Sequence, residues 1–243
     1  MSLNININKV DLQKAIDLHK NIALYKPLGA IYGGVWNYDY EGGWHKFGFT
    51  SGYTKIAPFP VFIPTGTLDS GQAVGFGAIF YITSLFNSYV LFNEPAPTYA
   101  SLVEGFYLYS SGTLTVRSAG TPSGTTSATV NVGDIIVLYW VFSRVSNTYY
   151  MQWYAARYDW DTDSFIDLIN AYGTVSNPYS FRYLVLWEPN GTSGKVAVGP
   201  YIVHWDVRSS APSSGPGPHI QPNIRMYRSL GLQDPRTLDM TTV

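Results

Sequence analysis

The stretch YAARYDWDTDSF, residues 154–165, sets Asp159, Asp161 and Asp163 at alternate positions around Trp160. Carboxylates spaced this way can ligate a hard cation such as calcium. An EF-hand loop counted from Asp159 needs a Gly at its sixth position and a Glu at its twelfth, where this chain has Ser164 and Asn170. Asp also favours turns, because its side chain bonds the backbone two residues on. The stretch is therefore expected to be a polar turn between strands, with Asp159, Asp161 and Asp163 as weak metal candidates and no cofactor expected.

A second group of chemistry-bearing residues emerges from strand parity, since alternate residues of a strand share a face. Arg182 and Glu188 share one face of FRYLVLWE, and His204 and Asp206 share one face of YIVHWDV. Glu104 stands among apolar neighbours in LVEGFYLYS, and Gln152 sits in TYYMQWYAARYD. Together Glu104, Gln152, Arg182, Glu188, His204 and Asp206 can form a polar concave face lined by Tyr and Trp, suited to a sugar or peptide. The alternative is that they occupy different faces, or pair as ions on a solvated sheet, because parity alone does not set strand order. Other chemistries lack their residues. There is no Cys, no G-x-S-x-G elbow and no H-E-x-x-H, and His19, His45, His204 and His219 are scattered. IYGGVW and YEGGWHKFGF lack the Lys-Ser/Thr of a phosphate loop and read as hairpin or bulge glycines.

The elements that must position these residues are mostly strands. Short alternating or apolar runs at 73–83, 102–110, 113–119, 134–143, 148–159, 181–188 and 201–207 are separated by turns such as SSG, TPSG, VGD and PNG. This is the pattern of an all-β, antiparallel β-sandwich of jelly-roll or concanavalin-like type. One helix is expected at 10–24, where Leu12, Ala15, Ile16, His19, Ile22 and Ala23 recur at helical spacing after an Asn8 cap, and Pro27 and Gly29 stop it. SSAPSSGPGP at 209–218 cannot continue helix or sheet. The chain thus divides into an N-terminal segment with its helix (1–29), a sandwich (30–208) and a linker with an extended C-terminal arm (209–243). The arm is too short to build a core, and is expected to be held by another subunit.

Of the 243 residues only 13% are charged, against a usual ~25%, while 16% are aromatic, including 20 Tyr. The formal net charge is -1, with no basic cluster, so nucleic acid is not an expected partner. No run of about 18 apolar residues predicts a membrane span, and the first residues carry no apolar export signal.

EGFYLYS, then VNVGDIIVLYWVFSR and TYYMQWY, then YLVLWEPNGTSGKVAVGPYIVHWDV resemble the ordered motifs of the glutamic peptidases (eqolisins), concanavalin-type sandwiches. The resemblance covers about residues 100–208. It implies a Glu and Gln catalytic pair, for which Glu188 is the nearest match, with Gln72 or Glu104 as partner. The Tyr-rich, Cys-free composition resembles structural proteins of viruses infecting thermophilic archaea. Two expectations follow. The first is a non-enzymatic virion structural protein, a capsid or surface component that assembles with copies of itself or other virion proteins and binds host-surface carbohydrate. The alternative is an extracellular, acid-stable peptidase or glycan hydrolase using Glu188.

Overall fold

The computed structural model describes residues 36–49, 54–63, 68–93, 104–118, 120–175, 181–188, 193–216 and 221–243. The helix expected at 10–24 and the PNG turn lie outside these residues.

Two antiparallel sheets face each other. Their strands are β1 (Trp36–Glu41), β2 (Trp44–Phe49), β3 (Thr54–Ile63), β4 (Gln72–Ile82), β5 (Ser88–Asn93), β6 (Glu104–Leu108), β7 (Thr113–Arg117), β8 (Ser123–Thr125), β9 (Ser127–Thr129), β10 (Ile135–Val145), β11 (Thr148–Asp159), β12 (Ser164–Val175), β13 (Phe181–Glu188) and β14 (Gly194–Val207). Eight of them form one sheet in the order β1-β2-β14-β4-β10-β11-β12-β8, and six form the other in the order β3-β13-β5-β6-β7-β9. The expected all-β sandwich is what the chain forms.

The core follows from strand parity. In the larger sheet Phe76 pairs with Trp140, and Trp140 with Trp153, so the three share the inward face. They pack with Phe106, Leu108, Leu114 and Val116 of the smaller sheet. The intervening positions, including Ile79, Val137, Tyr139, Gln152 and Tyr154, point outward, yet they are also buried. β10 and β11 are therefore covered on both faces, which explains why their sequences read as nearly continuous apolar runs.

Turn chemistry closes the hairpins. Gly42 and Gly43 join β1 to β2 at φ +56° and +92°, a region that Cβ-bearing residues avoid. This confirms the expected hairpin role of the glycines in YEGGWHKFGF.

Residues 221–243 depart from expectation. They do not extend away from the sandwich but fold back on its outer face. A helix, α1 (Gln221–Ser229), is followed by two short 3-10 turns, Pro235–Thr237 and Met240–Thr242. α1 ends in a Schellman cap, with Leu232 N donating to Tyr227 O (2.9 Å) and Gly231 N to Arg228 O (3.0 Å). Gly231 takes φ +95°, the left-handed conformation this cap requires.

Candidate functional site

The aspartate stretch lies at one end of the seam between sandwich and arm. Asp159 makes the turn from β11 to β12. Its Oδ1 accepts from the backbone N–H groups of Asp161 (2.9 Å) and Thr162 (3.1 Å), and these bonds hold its carboxyl below the usual range. The turn presents the next two carboxylates to the arm. Asp161 receives both guanidinium ends of Arg236, at 2.7 and 2.6 Å, which lowers its pKa. Asp163 pairs with Arg225 and accepts from the Tyr158 hydroxyl at 2.7 Å. Burial pushes Asp163 up, but the Tyr158 bond and the Arg225 charge outweigh it and leave it lowered.

Arg228 completes this end of the seam. It donates to the Tyr158 hydroxyl at 2.6 Å and lies over the Trp160 ring, 4.5 Å from the centroid. Burial first, then the bond to Asp163, pushes the Tyr158 phenol up to about 12, so it stays a neutral donor at ordinary pH. The cations that the aspartates hold are thus guanidinium groups of the same chain. Among the described residues, no three His, Asp or Glu side chains gather as a metal site.

At the other end of the seam, β1 and β2 supply a buried lysine. Lys46 is fully buried, and its ammonium reaches Asp39 (2.7 Å), Glu41 (2.6 Å), the Asp239 carbonyl (2.7 Å) and the Thr242 hydroxyl (2.9 Å). Burial pulls its pKa down, but the bonds to Asp39 and Glu41 prevail and raise it. Thr242 also donates to Asp39 (2.8 Å), and Lys195 donates to the Met240 carbonyl (2.8 Å). Between the two ends, Trp44 donates its indole N–H to the Gln233 carbonyl (2.8 Å), and Gln233 N donates to Gly42 O (2.8 Å). Below these bonds Ile224, Leu232 and Leu238 pack on Trp44, Ile79, Val137, Tyr158, Trp160 and Ala197. Full burial of one such aliphatic side chain contributes roughly 1.5–3 kcal/mol.

The structure divides the six residues expected to share one polar face. Glu104 lies on β6, and Arg182 and Glu188 lie on β13, all in the six-stranded sheet. Gln152, His204 and Asp206 lie in the eight-stranded sheet. One sheet face therefore cannot carry all six, because parity reports a face within a strand and says nothing about which sheet the strand joins. Gln152 and His204 do occupy one row, through Val141 and Gly75. Gln152 is only 3% exposed and donates to the Ser214 carbonyl at 2.7 Å, so the linker already occupies it. Asp206 is exposed and caps Val207 N (2.8 Å) beside Arg208.

Of the two expected partners of Glu188, Glu104 lies in the same six-stranded sheet and Gln72 does not. Gln72 begins β4 in the eight-stranded sheet and binds Asp69 through the turn, accepting from Asp69 N at 2.8 Å and donating to its carboxylate at 3.3 Å. Gln72 and Glu188 belong to different sheets.

The residues that build the seam, Trp44, Lys46, Lys195, Arg225, Arg228 and Arg236, were not singled out by sequence reasoning. The helix was not expected, although PNIRMYRSLGL carries its signals: Pro near its start, Arg225 and Arg228 one turn apart and Gly past its end. The receptor was not legible, because its parts are scattered along the chain, from 45 residues away at Lys195 to 193 at Lys46.

No protein-family model matches this chain, and no curated protein matches it. A solved structure similar to it is that of a polysaccharide lyase of family 18. The two are 10% identical, and the match covers 76% of this chain and 92% of that one with a TM-score of 0.32.

Proposed function

We propose that this protein is a structural subunit of a virion, a β-sandwich building block that joins to its neighbours through the C-terminal arm. The observation that carries this reading is the built seat of the arm. Indole, lysine and carboxylate groups from β2, β14 and the β11–β12 turn converge on backbone carbonyls and arginines of residues 225–240. Such dedicated recognition of a short terminal segment suits a connector. The low charge, high tyrosine content and absence of cysteine support a place in a particle shell. A host-surface carbohydrate reaching Gln152 would have to displace the linker at Ser214.

Light scattering on the full chain and on residues 1–208 tests the proposal. The full chain is expected to form assemblies of defined mass, and the truncated chain to lose them. A full chain that stays monomeric at every concentration overturns the proposal.

A further inference from the structure

We infer that the seat on the outer face of the eight-stranded sheet is a docking site for the arm of a second copy of this chain, and that copies join by exchanging residues 221–243. This rests on the assembly reading above and names the partner and the contacts.

The arm is attached by a link rich in proline and glycine. Residues 209–220 include Pro212, Pro216 and Pro218 with Gly215 and Gly217, so three of its positions lack the N–H donor of a strand ladder. Among its described residues, two bonds tie it to the sheet: Gln152 Nε2 to Ser214 O at 2.7 Å and Gly215 N to Asn170 Oδ1 at 2.5 Å. Twelve residues at ~3.3–3.6 Å each reach about 40 Å when extended, far enough to cross from one sandwich to a neighbour.

The seat and the arm are complementary in an order that sets one register. The seat presents Asp161 and Asp163 to Arg236 and Arg225 at one end, and Lys46 and Lys195 to the carbonyls of Asp239 and Met240 at the other. An arm bound in reverse would set its arginines against Lys46 and Lys195. Every one of these contacts joins residues 36–49, 158–163 or 195 to residues 225–242, with the link contributing none. A second copy's arm therefore makes the same bonds, so exchange costs at most the two bonds that tie the link to its own sheet. The choice between the two arrangements is then one of concentration. A flexible tether supplies its own arm at an effective concentration of order mM, and a crowded assembly offers neighbouring arms at comparable levels.

The chain has no cysteine, so disulfide trapping reports the exchange without background. A Cβ at Gly48 would lie 3.3 Å from the Val243 Cβ and 2.5 Å from its carbonyl carbon, so a Cys pair there reaches the ~3.5–4.5 Å of a disulfide once Val243 shifts outward. Full-length Gly48→Cys and Val243→Cys chains carrying different tags are co-expressed and oxidised, beside a chain carrying both substitutions. The expected result is a covalent heterodimer from the mixture and covalently linked chains from the double variant, both lost when Arg236→Asp and Arg225→Asp are added to the arm. Intrachain crosslinking alone in the double variant, with no heterodimer in the mixture, overturns the inference. Light scattering on the same samples separates the two readings. Assemblies that persist without interchain crosslinks leave the structural role standing and remove the exchange, whereas monomers throughout remove both.

Discussion

Between the sheets, Phe76, Phe106, Trp140, Phe142 and Trp153 interlock with aliphatic side chains, whereas the seam under the arm mixes Trp44, Trp160, Ile224 and Leu232 with Lys46, Arg228 and Asp163. The difference is one of timing as well as composition. The inner layer is held by dispersion and water exclusion over a large area, and it cannot open without unfolding the sandwich. The seam buries few aliphatic groups and adds charges that favour one register. Asp161 is 69% exposed, so its pair with Arg236 contributes orientation more than stability. A segment held this way can leave its seat while the sheets stay closed.

The largest expected effect separates the two regions directly. Trp140→Ala opens a cavity beside Phe76, whose ring centroid lies 5.7 Å away, and should cost about 3–5 kcal/mol. Calorimetry should then show a single, lower transition. Trp44→Ala removes an indole from the seam, and its loss should instead release the arm ahead of the sandwich as an earlier, smaller transition. If both variants shift one common transition equally, seam and core are one cooperative unit.

A smaller effect is expected at Lys46. Lys46→Met keeps the packing but strips Asp39, Glu41, the Asp239 carbonyl and Thr242 of a common donor. Asp39 and Glu41 are partly exposed and can rehydrate, so the cost should be about 1–3 kcal/mol. Limited proteolysis should find residues 230–243 more readily cut, with the strands still protected. A variant whose strands are cut as fast as its arm would assign Lys46 to the sandwich.

Acid should loosen the seam most gently. Asp39, Asp161, Asp163, Asp234 and Asp239 all have lowered pKa values, and each faces a cation or N–H and O–H donors at the seam. Depressed carboxyls contribute stability that is complete above their unfolded value of about 4 and is lost as pH falls through the folded values. Methyl signals of Ile224, Leu232 and Leu238 should therefore begin to shift below about pH 4, before those of Leu114 and Leu138 in the core. Core and seam methyls moving together would contradict a separable arm.

Parts of this arrangement were legible in advance for identifiable reasons. β4, β10, β11 and β13 follow closely from their apolar runs, and the Asx turn at Asp159 follows from aspartate's reach to its own backbone. β12 was harder to read because Asp167 and Asn170 interrupt its apolar residues. The proposed polar face could not be read correctly, since Glu104 and Gln152 have comparable strand settings and yet join different sheets. The arm looked unable to order itself, which holds for the segment alone; its order comes from Trp44, Lys46 and Asp161.

Local chemistry, then, determined what neighbouring residues do to one another: period-two apolar patterns make strands, glycines at positive φ close hairpins, and Gly231 ends a helix. Those interactions act over a few residues, so they are written in consecutive letters. Which sheet receives each strand, and that the aspartates around Trp160 hold arginines 62 to 75 residues away, were decided by the tertiary structure. Only closing the long loops brings those charges together, and the burial of both sheet faces determines where they meet.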